Sequence, residues 1–180
     1  GCRIFCETKA IKKIMCGRSS LTKTEKEIEK RFQATFYSDE LERYNPLPNY
    51  NVAPTHYHPV IINKDVRHLH LFKWGLIPSW SKDPKMSFSM INARAETLME
   101  KPAFRNIISQ KRCLVPLDGF YEWKTINGEK IPYRIQTMDQ DIFAAAGLWE
   151  EWQSPEGNKI YTFTIITVEA NDYMKILHER

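Results

Sequence analysis

The stretch Arg112-Cys113-Leu114-Val115-Pro116-Leu117-Asp118-Gly119-Phe120-Tyr121-Glu122-Trp123-Lys124-Thr125-Ile126-Asn127-Gly128-Glu129-Lys130-Ile131-Pro132-Tyr133-Arg134-Ile135-Gln136 decides the fold class. Asn127-Gly128 is the strongest turn signal in the chain. The stretch predicts a strand over 112–124, bent at Pro116 and Gly119, then a tight turn and a strand over 131–136. Working outward, 59–63 and 66–74 read as a hairpin across Lys64 and Asp65. Segments 143–152 and 160–168 read as another, closed around 154–158. Helices are expected over 21–32, where Thr24 and Glu27 form a capping box, over 95–110 with a break near Pro102, and over 171–180. Residues 45–54 read as an ordered loop, and 74–84 as a turn-rich stretch with two tryptophans. Strands joined by short turns imply an α+β, β-rich fold: a mainly antiparallel sheet or barrel-like core with a few peripheral helices.

Composition narrows the class. At 180 residues the chain fits one domain, and 42% apolar with 27% charged residues excludes wholesale disorder. No apolar run approaches the roughly 18 residues a membrane helix needs, and residues 1–14 lack the continuous apolar core of a signal peptide. The expectation is a cytoplasmic monomer without membrane attachment, nucleoid-associated in a bacterium. Four cysteines, Cys2, Cys6, Cys16 and Cys113, are too few for a disulfide scaffold and lack the paired spacing of a zinc site. The net charge of +4 is uneven: residues 67–134 hold 12 basic and 6 acidic side chains. Phe72, Trp74, Trp80, Phe88, Phe104, Phe120, Tyr121 and Trp123 are interleaved with them. Cations beside aromatics suit single-stranded nucleic acid; the alternative is an aromatic core under solvated lysines.

Four polar positions sit in local sequence that suits chemistry. Cys16, beside Gly17 and Arg18, is either an accessible thiol with a favoured thiolate or a small buried hydrophobe. Asn92 and Arg94 share a face if the chain is extended there, ready to orient an oxygen and clamp a phosphate; otherwise they are a helix cap and a surface arginine. Glu122, between Tyr121 and Trp123, is either desolvated toward general acid/base use or a solvent-facing strand residue. His178 is either an acid/base or structural. The pairs His56/His58 and His68/His70 would each face one side of a strand, but no acidic or thiol partner is read beside them, so no metal is expected.

In order, the chain carries Met15-Cys16-Gly17-Arg18, Tyr50-Asn51-Val52-Ala53-Pro54 and Trp74-Gly75-Leu76-Ile77-Pro78-x-Trp80. Ile91-Asn92-Ala93-Arg94-Ala95-Glu96-Thr97, Arg112-Cys113-Leu114-Val115-Pro116, Gly119-Phe120-Tyr121-Glu122-Trp123 and His178-Glu179-Arg180 follow. This succession resembles the SOS response-associated peptidase (SRAP) family of abasic-site sensors, from Met15 to the end. The resemblance implies a cofactor-free covalent sensor of abasic sites in single-stranded DNA. After removal of Met15, the amine and thiol of Cys16 would close a thiazolidine on the open sugar aldehyde. Asn92 would orient the sugar or amine, Glu122 would shuttle protons, and His178 would assist ring opening. Arg18, Arg94 and Arg180 would hold phosphates, with Trp80 and Trp123 against bases and Pro54 on the DNA surface.

Two departures go with the resemblance. Fourteen residues precede Met15, and an amide nitrogen on Cys16 would block the chemistry. A true start at Met15, autoproteolytic removal of 1–14 and loss of crosslinking in this member are the alternatives, the first preferred. The family also continues past its His-x-Arg, so 15–180 is expected to be one domain cut short at its C-terminus. The runner-up functions are a cysteine peptidase or amidohydrolase using Cys16 with His178 or Glu122, and a non-covalent single-strand DNA-binding module.

Overall fold

The computed structural model describes residues 17–37 and 47–175. The strands among them are β1 Ser19–Leu21, β2 Thr35–Phe36, β3 Asn49–Val52, β4 Tyr57–Ile62, β5 Asp65–Trp74 and β6 Asn92–Arg94. They continue as β7 Arg112–Leu117, β8 Gly119–Ile126, β9 Glu129–Ile135, β10 Phe143–Gln153 and β11 Lys159–Thr167. One sheet runs β2-β5-β4-β7-β10-β11-β6, and a further β5–β11 pairing closes its five middle strands into a barrel. The closing pair is parallel, Thr162 opposite Lys73 and Phe163 opposite Trp74, whereas the other four barrel pairings are antiparallel. A second sheet runs β3-β1-β8-β9.

Alternation fills the barrel. Val60 and Ile62, Phe72 and Trp74, Cys113, Val115 and Leu117, Phe163 and Ile165 are spaced by two and buried in one cluster. Each large apolar side chain so buried contributes about 1.5–3 kcal/mol relative to exposure. Helix α1, Glu25–Phe32, covers a neighbouring cluster in which its Ile28 meets Leu21, Ile61, Leu69 and Ile142. Its start is the expected reciprocal box: the Glu27 N–H donates to Thr24 Oγ1, and the Thr24 N–H donates to the Glu27 carboxylate at 2.8 Å. Short helical pieces α2 (Pro102–Arg105) and α3 (Asp172–Lys175) complete the described elements, with 3-10 turns at Pro84–Ser89 and Ala95–Thr97.

The three expected hairpins are present, and Asn127 and Gly128 both take positive φ, 51° and 85°, as the tight turn between β8 and β9 requires. Several boundaries differ. Leu21 is a strand residue, because α1 begins only after its Thr24 cap. The expected loop over 45–54 contains β3, whose Asn and Pro content disguised a strand that pairs with β1; residues 45 and 46 lie outside the described residues. Segment 95–110 is two short helical pieces and turns rather than a long helix, since Pro102 starts a new turn and Ala103, Phe104 and Ile107 bury themselves individually. The strand over 112–124 is two strands: β7 belongs to the barrel and β8 to the second sheet, with Asp118 alone between them. The final helix is described only to Lys175, capped by Asn171, whose Oδ1 accepts the Met174 N–H at 2.9 Å.

Candidate functional site

The corner at Asp118 delivers β8 to its place beside β1. The Asp118 N–H donates to the Ser20 carbonyl at 3.1 Å, and the Tyr121 N–H donates to the Arg18 carbonyl at 2.9 Å. On β8, alternation sends Tyr121 and Trp123 to one face and Glu122 to the other. The Tyr121–Trp123 face opens on a shallow pocket of about 260 Å³ lined by Arg18, Tyr50, Asn51, Tyr121, Trp123 and Pro132. Arg18 Nη1 donates to Asn51 Oδ1 at 2.6 Å, and Tyr121 Oη donates to the Tyr50 carbonyl at 2.8 Å. The Arg134 guanidinium stands 6.0 Å from the Tyr50 ring centre. An arginine at the mouth of an aromatic pocket can hold an anion while a flat group stacks beside it.

Glu122 is 1% exposed, and neither carboxylate oxygen has a hydrogen-bond partner among the described residues. Burial without compensation pushes its carboxyl up to about 7. A carboxyl raised toward neutrality suits a group that must both give and take a proton. Of the two readings of Glu122 the desolvated one holds, although the flanking rings point the other way and do not cause it.

Asn92 and Arg94 stand on β6, an extended strand, so they share a face as one of the two readings required. Asn92 is buried at the register position opposite Ile165, and Arg94 is half-buried opposite Thr167. Two of the motif words meet here. The Trp74 indole N–H donates to the Ile91 carbonyl at 2.9 Å, and the Leu76 N–H donates to the Met90 carbonyl at 3.1 Å. Pro54, half-buried, lies in the turn between β3 and β4, and Trp80 is 61% exposed after the Pro78 turn. Cys16, His178 and Arg180 lie outside the described residues.

The interleaved aromatics divide between the two readings. Phe72, Trp74 and Phe104 are core, Trp80 and Phe88 are exposed, and Phe120, Tyr121 and Trp123 are half-buried. The histidine pairs also divide. His58 is buried with Nε2 2.7 Å from the Pro116 carbonyl, and desolvation lowers its pKa to about 4 against the pull of that bond and of Asp118. His68 and His70 both reach Asp65, at 2.9 and 3.2 Å. An acidic partner is thus present three residues from His68, contrary to the reading of the sequence. Asp65 also accepts from Tyr37 Oη at 3.0 Å, and no metal-holding group of three is found among the described residues.

Sequence reading missed Tyr50, Asn51 and Asp118 as parts of this region. Two of them lie in the word Tyr50-Asn51-Val52-Ala53-Pro54, and the signal for Asp118 is a carboxylate at a Gly-marked bend.

Residues 15–180 match the family model described as SOS response associated peptidase (SRAP). The abasic site processing protein YoqW of Bacillus subtilis is 46% identical over 168 residues, covering 92% of this chain and 74% of that protein. The abasic site processing protein HMCES of Xenopus tropicalis is 32% identical over 207 residues, covering 92% of this chain and 61% of that protein. A crystal structure of a protein from Bacteroides thetaiotaomicron superposes with a TM-score of 0.83 at 31% identity, covering 90% of this chain and 72% of that one. No helix among the described residues is long and apolar enough to cross a membrane.

Proposed function

Since the chain belongs to the SOS response associated peptidase (SRAP) family, we propose that it processes abasic sites in single-stranded DNA by capturing them covalently through Cys16. The observation that carries this reading is Glu122, a buried carboxyl without a partner among the described residues and raised toward neutrality by its burial, on the strand that pairs with the segment leading to Cys16. Two residues of chain reach at most about 7 Å, so Cys16 is tethered to Arg18 within that distance.

The chemistry balances without a cofactor. The α-amine, with a pKa near 8 and partly neutral at physiological pH, attacks the C1 aldehyde of the opened deoxyribose. Glu122 donates a proton to the departing hydroxyl, water leaves, and the nitrogen returns a proton to the Glu122 carboxylate as the imine forms. The Cys16 sulfur adds to the imine carbon, its proton passes to nitrogen, and a five-membered thiazolidine results. Tethering the thiol to the amine removes the entropy cost of the second step. Asn92 orients the sugar or amine, and His178 assists ring opening. Arg18, Arg94 and Arg180 hold the flanking phosphates, Trp80 and Trp123 support bases, and Pro54 shapes the DNA surface.

Protein beginning at Met15, so that initiator removal frees Cys16, is incubated with single-stranded DNA carrying one abasic site and run on a denaturing gel. A heat-stable shifted band that Cys16→Ala abolishes supports the reading, and its absence rejects it. The 180-residue chain with residues 1–14 intact gives no band. Repeated hydrolysis of a peptide, stopped by a thiol reagent, would instead favour a peptidase using Cys16. Cys113 does not serve that role, since it is buried and its thiol pKa is pushed far up.

A further inference from the structure

We infer that Asp118 is a positioning residue for the capture step, holding the segment that delivers Cys16 in register with the strand of Glu122; this rests on the reading above. β1 needs such an anchor. It is three residues long, pairs with β8 only at Ser19–Phe120 and Ser20–Gly119, and has a register shift against β3. Asp118, 1% exposed, supplies what the ladder lacks. Its Oδ1 accepts from Ser20 Oγ at 2.7 Å, and its Oδ2 accepts from both the N–H and the hydroxyl of Thr22 at 2.5 Å. One of these bonds goes to β1 itself and two go to Thr22, the residue that follows it.

The fourth ties in the neighbouring strand. Arg134 Nη2 donates to Asp118 Oδ1 at 3.0 Å and to Ser20 Oγ at 3.0 Å, while Arg134 Nε donates to Ser20 Oγ at 3.1 Å. The Arg134 guanidinium also faces Tyr50 in the pocket wall. One carboxylate thus couples β1, β9 and the pocket from the single residue that separates the barrel from the second sheet. Burial opposes its charge, but the bonds from Thr22 and Ser20 and the charge of Arg134 outweigh that and hold its pKa below the usual carboxylate range.

The test separates positioning from stability and from binding. Asp118→Asn keeps the volume and removes the charge. With abasic single-stranded DNA at saturation, its covalent capture rate is expected to fall about 10- to 100-fold, the cost of misplacing a nucleophile by an ångström or so. Its affinity for an oligonucleotide carrying a tetrahydrofuran, which cannot open to an aldehyde, is expected to fall at most a few-fold, well short of the loss in capture rate, since only Arg18 shares the displaced segment. Wild-type capture by Asp118→Asn overturns the inference, as does a proportionate loss of capture and affinity. Failure of wild type itself to capture counts against the proposed function instead. Should Asp118→Asn not fold, Thr22→Val and Ser20→Ala decide: a loss of capture larger than the loss of affinity in either supports the anchor, and wild-type capture in both overturns it.

Discussion

The main-chain N–H of Tyr121 donates to the carbonyl of Arg18 at 2.9 Å, which joins the strand bearing Glu122 to the segment leading back to Cys16, one residue from the carboxyl. An amine on Cys16 and a proton on Glu122 would then be needed together. The amine becomes neutral toward about pH 8, and Glu122 loses its proton through about 7. The capture rate should trace a bell between those values. Glu122→Gln should slow capture about 10²- to 10⁴-fold and abolish the alkaline fall, leaving a plateau once the amine is neutral. Gel-based single-turnover rates across pH check this, and an unchanged bell in the variant would exclude Glu122 from proton transfer.

Arg18 and Trp123 line one pocket yet should fail differently when removed. With Arg18 on a phosphate as proposed, Arg18→Ala should make the slope of log K against log salt on single-stranded DNA shallower by about 0.7. Trp123→Ala should cost about 1–3 kcal/mol of affinity for a lost stacking face, with the slope unchanged. Fluorescence-anisotropy titrations at several salt concentrations distinguish the two; equal slopes in all three proteins would remove Arg18 from the phosphate contacts.

Gly75 explains why the word Trp74-Gly75-Leu76 takes the form it does. Its φ is +114°, and a Cβ there would sit 2.7 Å from the Ser87 carbonyl oxygen. Neither the backbone angle nor the space admits a side chain. Gly75→Ala should lose about 2–4 kcal/mol by strain and overpacking, read as a lower urea midpoint. Because Leu76 anchors Met90 just before Asn92, capture should fall as well. A wild-type midpoint would mean the loop relaxes freely.

What was legible in the chain was local. Asn127-Gly128 specified its turn through backbone angles that few other residues adopt, and Thr24 with Glu27 specified a helix start through reciprocal hydrogen bonds. The closing β5–β11 pair was not legible, because Lys73 and Thr162 are joined by a contact that no periodicity announces. Nor was the corner at Asp118, where a single residue changes sheets. Of the site, the sharing of a face by Asn92 and Arg94 followed from strand geometry. The burial of Glu122 was anticipated for the wrong reason: its neighbours Tyr121 and Trp123 face the pocket, and tertiary packing on the other face removes the water. Asp65 is within reach in the sequence, three residues from His68, yet only the folded strand shows that its carboxylate meets both His68 and His70.

Glu122 and His58 give the molecule opposing pH dependences of stability. Glu122 binds its proton more tightly folded than unfolded, about 7 against 4.5, so its contribution falls as pH rises through that window. His58 binds its proton less tightly folded, about 4 against 6.5, so its contribution falls as pH drops through that window. Between about 4.5 and 6.5 the two slopes have opposite sign and similar size, and wild type should lack the slope either residue alone would impose. Removing one exposes the other. Relative to wild type at each pH, which cancels the carboxylates Asp65 and Asp118, Glu122→Gln should gain up to about 3 kcal/mol above pH 8 and almost nothing below pH 4. His58→Gln, whose amide can still donate toward the Pro116 carbonyl, should gain most in acid and least above neutrality. Urea midpoints collected from pH 4 to pH 8 read both differences. Parallel curves for wild type and Glu122→Gln would mean that the carboxyl is ionised without penalty, and the raised affinity for a proton that the capture mechanism uses would be gone with it.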